Sequence, residues 1–418
     1  MPTPRDELGQ RSETVRRTNL SVIIRELHAR GALSRSELVV RSGLTRSAIR
    51  SLIGELVASG LVSETRAPRR PSRGRPSPLV RPDPAGATVL ALDIEVDSIA
   101  AAIVGLGGEI IDQVREDRPR RQSSVGRMAA DLGRLAATLR SGEPSPRPHV
   151  GIGVAVVGVV RRSDGVVSMA PNLGWVDVGL REALVQVLGD DVPIHVANEG
   201  DLGALAEARR GVAMGAGDIL YVSGEVGVGG GIIVNGEPFT GAAGYGGEIG
   251  HMPVNPSGLR CRCGAIGCWE TEAGSESLLR RAGRLPASGP AAIDVLLAEA
   301  DAGTPDALQA LDETGRWIGI GLAGLVNLLN PRLVVFGGLF GRIHPYVAAT
   351  VEAELDRRAL AAPRRLVRIV PSELGVEAPL RGAAELAMEP LLADPARWMR
   401  PRDVDARYAE ARLRRVVA

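Results

Sequence analysis

Apolar residues recur at helical spacing near the start of the chain. Leu20, Ile23, Ile24 and Leu27 share one face of a 3.6-residue period, which predicts an amphipathic helix over about 14–30 that ends at Gly31. Ser34-Arg35-Ser36-Glu37 has the spacing of a capping box and opens a short second helix. Ser42-Gly43 supplies a tight turn, Thr45 caps a third helix with Ile49, Leu52, Ile53 and Leu56 as its apolar stripe, and Gly60 closes it. This order is that of a helix-turn-helix. Leu61–Glu64 reads as a strand, and residues 65–76 follow as a basic segment without an acid, a wing with Arg73 and Arg75 at its tip.

The pattern changes at Ala87. Val89–Ile94, Ser98–Leu106 and Glu109–Val114 read as strands, the last two joined by Gly107-Gly108. A helix over about 123–140 and an apolar strand Val150–Val160 complete an α/β lobe. A second set begins with Ile219–Ser223, a glycine-rich turn over 224–231 and Ile232–Gly236. Such a turn can bring backbone N–H groups close to phosphate.

The polar face of the third helix carries the first candidate chemistry. Thr45, Arg46, Ser47 and Arg50 lie in its opening turns, where a recognition helix meets base edges and phosphates. With Arg73 and Arg75 suited to a narrow minor groove, they predict binding to a double-stranded DNA operator. Net charge over the 418 residues is +1 and adds nothing to this. All 50 basic side chains are Arg, so neither a P-loop lysine nor a Schiff-base lysine exists. No stretch has the length of a membrane span and no apolar leader opens the chain, so the expected location is the cytoplasm. The three cysteines, Cys261, Cys263 and Cys268, lie downstream of His251 and predict a closed tetrahedral Cys₃His zinc site of the structural kind.

Gly247-Glu248-Ile249-Gly250-His251 and the CxCGxxGC run at 261–268, with Ala170–Trp175, Asn330-Pro331 and Gly337-Gly338 in support, resemble the ROK family of sugar kinases and sugar-responsive repressors. The resemblance runs from about Ser12 to about Ala387. It implies a winged helix-turn-helix over 12–82 ahead of a two-lobed actin-like ATPase fold of the ribonuclease H-like kind. Its lobes would span 83–196 and 197–390, with a helical tail at 391–418. It implies sugar contacts from Asn198, Glu199, Glu248, His251 and Glu270, with one ring nitrogen of His251 on zinc and the other on the sugar. A homodimer or homotetramer is the implied assembly.

The departures from that family fall on phosphate chemistry. Asp93-Ile94-Glu95-Val96-Asp97 stands where the kinases carry Gly-Gly-Thr, Glu225-Val226 replace part of the second phosphate loop, and Val157 replaces a proline. Acids at these places repel a triphosphate, so ATP is not expected as a cofactor. The family's catalytic aspartate aligns with Glu199, whose extra methylene displaces the oxygens by about an ångström, a shift that can cost about 10²-fold. The expectation is a sugar-responsive repressor that is not an enzyme. The alternatives are an active ATP-dependent sugar kinase that also binds DNA, with Glu199 as its base, and a protein-interaction module on an inactive core.

Overall fold

Helix α1 (Pro4–Arg30) begins well before the apolar spacing requires, with Pro4 at its first position, where the missing N–H costs no intrahelical bond. The computed structural model describes residues 4–65, 78–83, 86–118, 123–141, 149–189, 191–285 and 289–399. Strand β1 (Leu33–Ser34) leads into α2 (Arg35–Ser42). The predicted capping box is present: Glu37 N–H donates to Ser34 Oγ at 3.2 Å and Ser34 N–H to Glu37 Oε2 at 2.7 Å. Gly43 takes a φ of 70°, which a side chain would resist, and so lets the chain turn into α3 (Arg46–Ala58). Strands β2 (Val62–Thr65) and β3 (Leu79–Pro82) complete the order β1-β3-β2. The predicted wing tip, with Arg73 and Arg75, lies outside the described residues.

The first lobe is built on β4 (Thr88–Ile94), β5 (Ser98–Gly105) and β6 (Ile110–Asp117), then α4 (Val125–Ser141) and β7 (His149–Val156). The predicted strand 150–160 is broken at Gly158, whose φ of 114° turns the chain out of the sheet. Beyond the break, β8 (Val159–Arg161), β9 (Val166–Ala170) and β10 (Trp175–Gly179) form a small separate sheet, order β10-β9-β8. Helix α5 (Leu180–Leu188) and strand β11 (Ile194–Asn198) close the lobe, and α6 (Glu199–Arg210) leads out of it.

The second lobe contains β12 (Ile219–Gly224), β13 (Val228–Val234), β14 (Glu237–Pro238), helices α7 (Trp269–Ala273), α8 (Ser275–Arg281), α9 (Pro290–Asp301) and α10 (Pro305–Leu329), then β15 (Leu333–Gly337), α11 (Gly338–Arg358), α12 (Ala361–Leu366) and β16 (Arg368–Pro371). Its sheet order is β14-β13-β12-β15-β16 and that of the first lobe is β11-β7-β4-β5-β6. In both, the first strand pairs antiparallel with the second and parallel with the fourth, and the fourth pairs parallel with the fifth. This repeated unit is the ribonuclease H-like duplication of the actin-like ATPases.

Two findings differ from the reading of the sequence. Gly229, Gly230 and Gly231 belong to β13 and not to a turn. Two of them are crowded from opposite faces: a β-carbon on Gly231 would lie 2.4 Å from the Gly200 carbonyl oxygen of α6, and one on Gly230 would lie 2.2 Å from Ile249 Cδ1. The turn itself is Glu225–Gly227. The last helix, α13 (Ala378–Ala393), follows the second lobe in the chain but packs on the sheet of the first, where a β-carbon on Gly153 would meet the Ala383 carbonyl oxygen at 1.9 Å. Of the predicted tail, residues 400–418 lie outside the described residues.

One apolar core runs from the N-terminal helix-turn-helix module into the first lobe. It joins Leu20, Ile23 and Leu27 to Val89, Ala102, Leu391 and Leu392. Among the described residues no helix is long and apolar enough to cross a membrane.

Candidate effector site, metal centre and DNA-binding face

Cys261, Cys263, Cys268 and His251 converge although nine residues separate the histidine from the first cysteine. Their ligand atoms lie within 4.8 Å of one another. His251 Nδ1 is 3.7 Å from Cys261 Sγ, and Cys263 Sγ is 3.7 Å from Cys268 Sγ. A tetrahedron with metal–sulfur bonds of about 2.3 Å has edges of about 3.8 Å, so the spacing fits a zinc ion. The loop closes through bridges between Arg260 and Ile266 and between Pro253 and Cys268. Gly267 is needed at its tightest point: φ is 71°, and a β-carbon would lie 1.6 Å from the Asn255 carbonyl oxygen. Burial pushes the Cys261 and Cys268 thiols above their usual range, and Cys261 Sγ donates to Glu270 Oε1 at 2.7 Å. A bound cation would reverse that preference by stabilising thiolates.

The same loop aims side chains into the space between the lobes. Trp269 follows Cys268 directly, is wholly buried, and donates its indole N–H to the Trp317 carbonyl at 2.8 Å. It fixes α7, whose first turn presents Glu270. A short 3₁₀ turn, Ile249–His251, holds His251 with Nδ1 toward the thiols. A cavity of about 90 Å³ is lined by Asn172, Asn198, Glu199, Glu248, His251 and Glu270. All five residues predicted to touch sugar therefore meet at one place. Asn198 is also the N-cap of α6: its Oδ1 accepts from Gly200 N–H at 2.7 Å and from Asp201 N–H at 3.2 Å, while its Nδ2 donates to the Gly158 carbonyl at 2.9 Å. Much of its hydrogen-bonding capacity is thus spent on placing Glu199.

A larger cavity of about 560 Å³ adjoins the first and shares Glu199 and Glu225 with it. Its walls carry Glu95, Asp97 and Glu225, the acids that replace the phosphate loops. Of the three arginines on these walls, Arg115 is engaged with Glu95 Oε2 at 2.5 Å and Ser98 Oγ at 2.7 Å, Arg118 with Asp131 at 2.7 Å and Arg342 with Asp294. Asp93 lies behind them, 1% exposed, with neither carboxylate oxygen partnered among the described residues. Burial, and then the neighbouring Glu95, raise its carboxyl well above the usual range. Glu199 is raised by burial and then by Glu95, Glu225, Asp93 and Glu248. Glu225 is pushed up to about 8 by the enclosing protein and by Glu95 and Asp97. Glu248 is pushed up to about 7 by burial and by Asp201 and Glu270. At neutral pH Glu225 therefore holds its proton and Glu248 is near half-protonated, so both can donate hydrogen bonds to a hydroxylated ligand, and the charge of a phosphate would oppose their ionisation further.

At the other end of the molecule, Thr45, Arg46, Ser47 and Arg50 are all exposed on α3. Thr45 Oγ1 accepts from Ala48 N–H at 3.2 Å, the predicted cap. The arginines that brace the module are paired, Arg16 with Glu55 at 2.5 Å and Arg35 with Glu64 at 2.6 Å. Arg46 and Arg50 make no ion pair among the described residues, and their guanidinium groups point to solvent. Sequence reasoning missed a buried cluster of His28, Arg210 and Glu385 between α1, α6 and α13. No local pattern marks it, since its members lie far apart in the chain.

Known proteins share this arrangement. Residues 89–389 match the ROK family. The chain is 29% identical over 380 residues to the xylose repressor of Bacillus subtilis (strain 168), an alignment covering 90% of this chain and 97% of the repressor. It is 30% identical over 319 residues to a glucokinase of Streptomyces coelicolor, covering 72% of this chain and 98% of the enzyme. The crystal structure of a ROK family transcriptional regulator, a homologue of the E. coli MLC protein, superposes with a TM-score of 0.73 at 26% identity, covering 91% of this chain and 97% of that one. A ROK family glucokinase from Streptomyces griseus, in complex with glucose and AMPPNP, superposes with a TM-score of 0.63 at 28% identity, covering 72% of this chain and 99% of the enzyme. The chain belongs to the ROK family.

Proposed function

We propose that this protein is a sugar-responsive, DNA-binding transcriptional repressor whose sensor has lost phosphoryl transfer. The observation that carries the reading is the pairing of two sites in one interlobe space. Glu248, His251, Glu270, Asn198 and Glu199 line a pocket suited to hydroxyl groups, while Glu95, Asp97 and Glu225 line the place of a triphosphate. The repressors among the relatives align along nearly the whole of this chain, DNA-binding module included, and the glucokinases only along the core.

In this reading the operator is held by α3 and the wing, in a homodimer or homotetramer whose two modules meet two half-sites. Zinc on His251, Cys261, Cys263 and Cys268 has a structural role. It fixes the His251 ring so that Nε2 faces the sugar, and it orders the segment that presents Glu270. Glu248 and Glu199 donate or accept at neighbouring hydroxyls according to which of them holds its proton. Sugar binding changes the separation of the lobes and so the placement of the DNA-binding modules. The cytoplasm is the compartment where operator and sugar meet.

The test is equilibrium binding of the purified chain to a duplex selected by that chain from a random library, with and without D-xylose or D-glucose. A sugar-dependent change in affinity is expected. Arg46→Ala and Arg50→Ala should each weaken duplex binding by about 1–3 kcal/mol while the zinc content stays the same. Unchanged affinity in both variants would remove α3 as the recognition helix. One observation favours a second reading, an active kinase: the larger cavity is open and Glu199 stands at its edge in the place of a base. Incubation with ATP, magnesium and D-glucose separates the two, since formation of sugar phosphate that is lost in Glu199→Gln would establish the kinase.

A further inference from the structure

Helix α6 has one end in the effector pocket and the other against the DNA-binding module. Its N-terminus carries Asn198 and Glu199, and its C-terminus, roughly 18 Å away for 12 residues, carries Arg210. Between the two ends it has no slack. Gly200 and Gly203 admit Gly230 and Tyr221, whose nearest atoms would lie 2.5 Å from a β-carbon at either glycine, and on the far side Gly382 of α13 leaves only 1.9 Å to the Leu202 carbonyl oxygen. A displacement of β13 therefore moves α6 as a body.

Arg210 ends in a buried junction of four segments. Its Nε donates to Glu385 Oε1 of α13 at 2.6 Å, and its Nη1 donates to the carbonyls of His28 at 2.7 Å and Gly107 at 2.8 Å. The guanidinium reaches this place because the β5–β6 hairpin has no side chain at Gly108, where a β-carbon would lie 2.6 Å from Arg210 Cζ. His28 of α1 accepts at Nδ1 from Gly107 N–H at 3.0 Å, so its proton sits on Nε2 and is donated to Glu385 Oε2 at 3.0 Å. Arg210 Nη2 also lies 2.6 Å from that Nε2. No tautomer of His28 satisfies all three neighbours: Nε2 cannot both donate to Glu385 and accept from Arg210 while Nδ1 accepts from Gly107. Burial alone would raise the Glu385 carboxyl, but His28 and Arg210 outweigh it and hold it down at about 2. The junction is tight, ionic and internally frustrated, as a joint with two arrangements requires.

We infer that Arg210, His28 and Glu385 are positioning residues that convey the state of the effector pocket along α6 to α1, the helix on which the DNA-binding module is mounted. The inference rests on the sugar-sensing reading above. Sugar-driven movement of α6 shifts Arg210 against His28, and α1 follows because it is also tied to α13 through Ser21 Oγ on the Leu392 carbonyl at 2.6 Å and through the Arg25–Glu389 ion pair.

Two measurements on the full chain test it. In the first, Arg210→Ala and Glu385→Gln are titrated with the selected duplex in the presence and absence of D-xylose. Sugar affinity should stay within about threefold of wild type, while the sugar-dependent change in duplex affinity, about 5- to 150-fold for a coupled pair of sites, falls below about twofold. Retention of the full response by both variants overturns the inference. The second needs no sugar. Asn198→Ala, which removes the cap of α6, should speed hydrogen exchange of the amides at residues 24–30 in the wild-type background and leave them unchanged in the Arg210→Ala background. Equal acceleration in both backgrounds, or none in either, also overturns it. If D-xylose and D-glucose leave wild-type duplex binding unchanged, the effector reading fails, and the exchange comparison still decides the joint.

Discussion

The two cavities between the lobes share a wall and differ in what they can hold. The smaller is lined by an imidazole, amides and carboxyls, and the Cys₃His cluster that could hold a metal ion adjoins it through His251 and, by the Cys261 contact, Glu270. The larger keeps the volume of a nucleotide site but presents Glu95, Asp97 and Glu225, with Arg115 already engaged by Glu95. Under the proposed function, the contrast is that of a fold keeping the geometry of a two-substrate enzyme while its chemistry serves one ligand. Lobe movement needs only that ligand's differential affinity for open and closed forms.

The largest expected effect removes the support of one cavity and spares the other. Cys268→Ser takes a ligand from the metal cluster and should cost more than about 4 kcal/mol, a loss reserved for such mechanisms. Calorimetry with zinc analysis checks it, and D-xylose binding should disappear together with the metal. A variant that melts like wild type and still binds sugar would separate the cluster from the pocket.

Next in size, Glu248→Gln should weaken sugar binding by about 1.5–3 kcal/mol, the range for a hydrogen bond to a charged group, with duplex affinity in the absence of sugar unchanged. Isothermal titration reads it. Unaltered sugar affinity would place the ligand elsewhere.

The reverse experiment acts on the larger cavity. Removing acids by Glu95→Gly with Glu225→Thr should tighten binding of an adenine nucleotide by ~2 kcal/mol at about pH 9, where the Glu225 carboxyl, raised to about 8, is ionised, the interaction of unit charges about 8 Å apart at an effective dielectric of 20. No gain would mean that shape, and not charge, excludes the nucleotide.

The smallest effect is a pH dependence. The Glu225 carboxyl is raised in the folded protein to about 8 from an ordinary value of 4.5. The native state therefore binds more protons than the unfolded chain between those values. Its contribution to stability is fully present below pH 4.5 and is lost as pH rises through about 8. Glu225→Gln should melt a few degrees above wild type at pH 8.5 and together with it at pH 4.5. A constant difference across that range would show that the carboxyl is not perturbed.

Much of this arrangement was legible in the residues. The capping box at Ser34–Glu37, the Thr45 cap and the apolar stripe of α3 are local, and local patterns fix helices with defined ends. The cysteine spacing placed three ligands on one loop. Other features depended on contacts distant in sequence. Gly229–Gly231 resemble a phosphate turn until Gly231 is seen packed on α6 and Gly230 against Ile249. Asn198 reads as a sugar contact, and its hydrogen bonds add a second role, the cap of α6. The return of α13 to the first sheet and the meeting of His28, Arg210 and Glu385 leave no periodic trace, because each contributes one residue from a different segment.

The most direct test of the central claim is the affinity of the purified chain for its selected duplex, measured by fluorescence anisotropy during titration with D-xylose, once without nucleotide and once with ATP and magnesium. The account predicts a shift of at least about fivefold in the dissociation constant that is the same in both titrations. A shift that appears only with ATP and magnesium would contradict it.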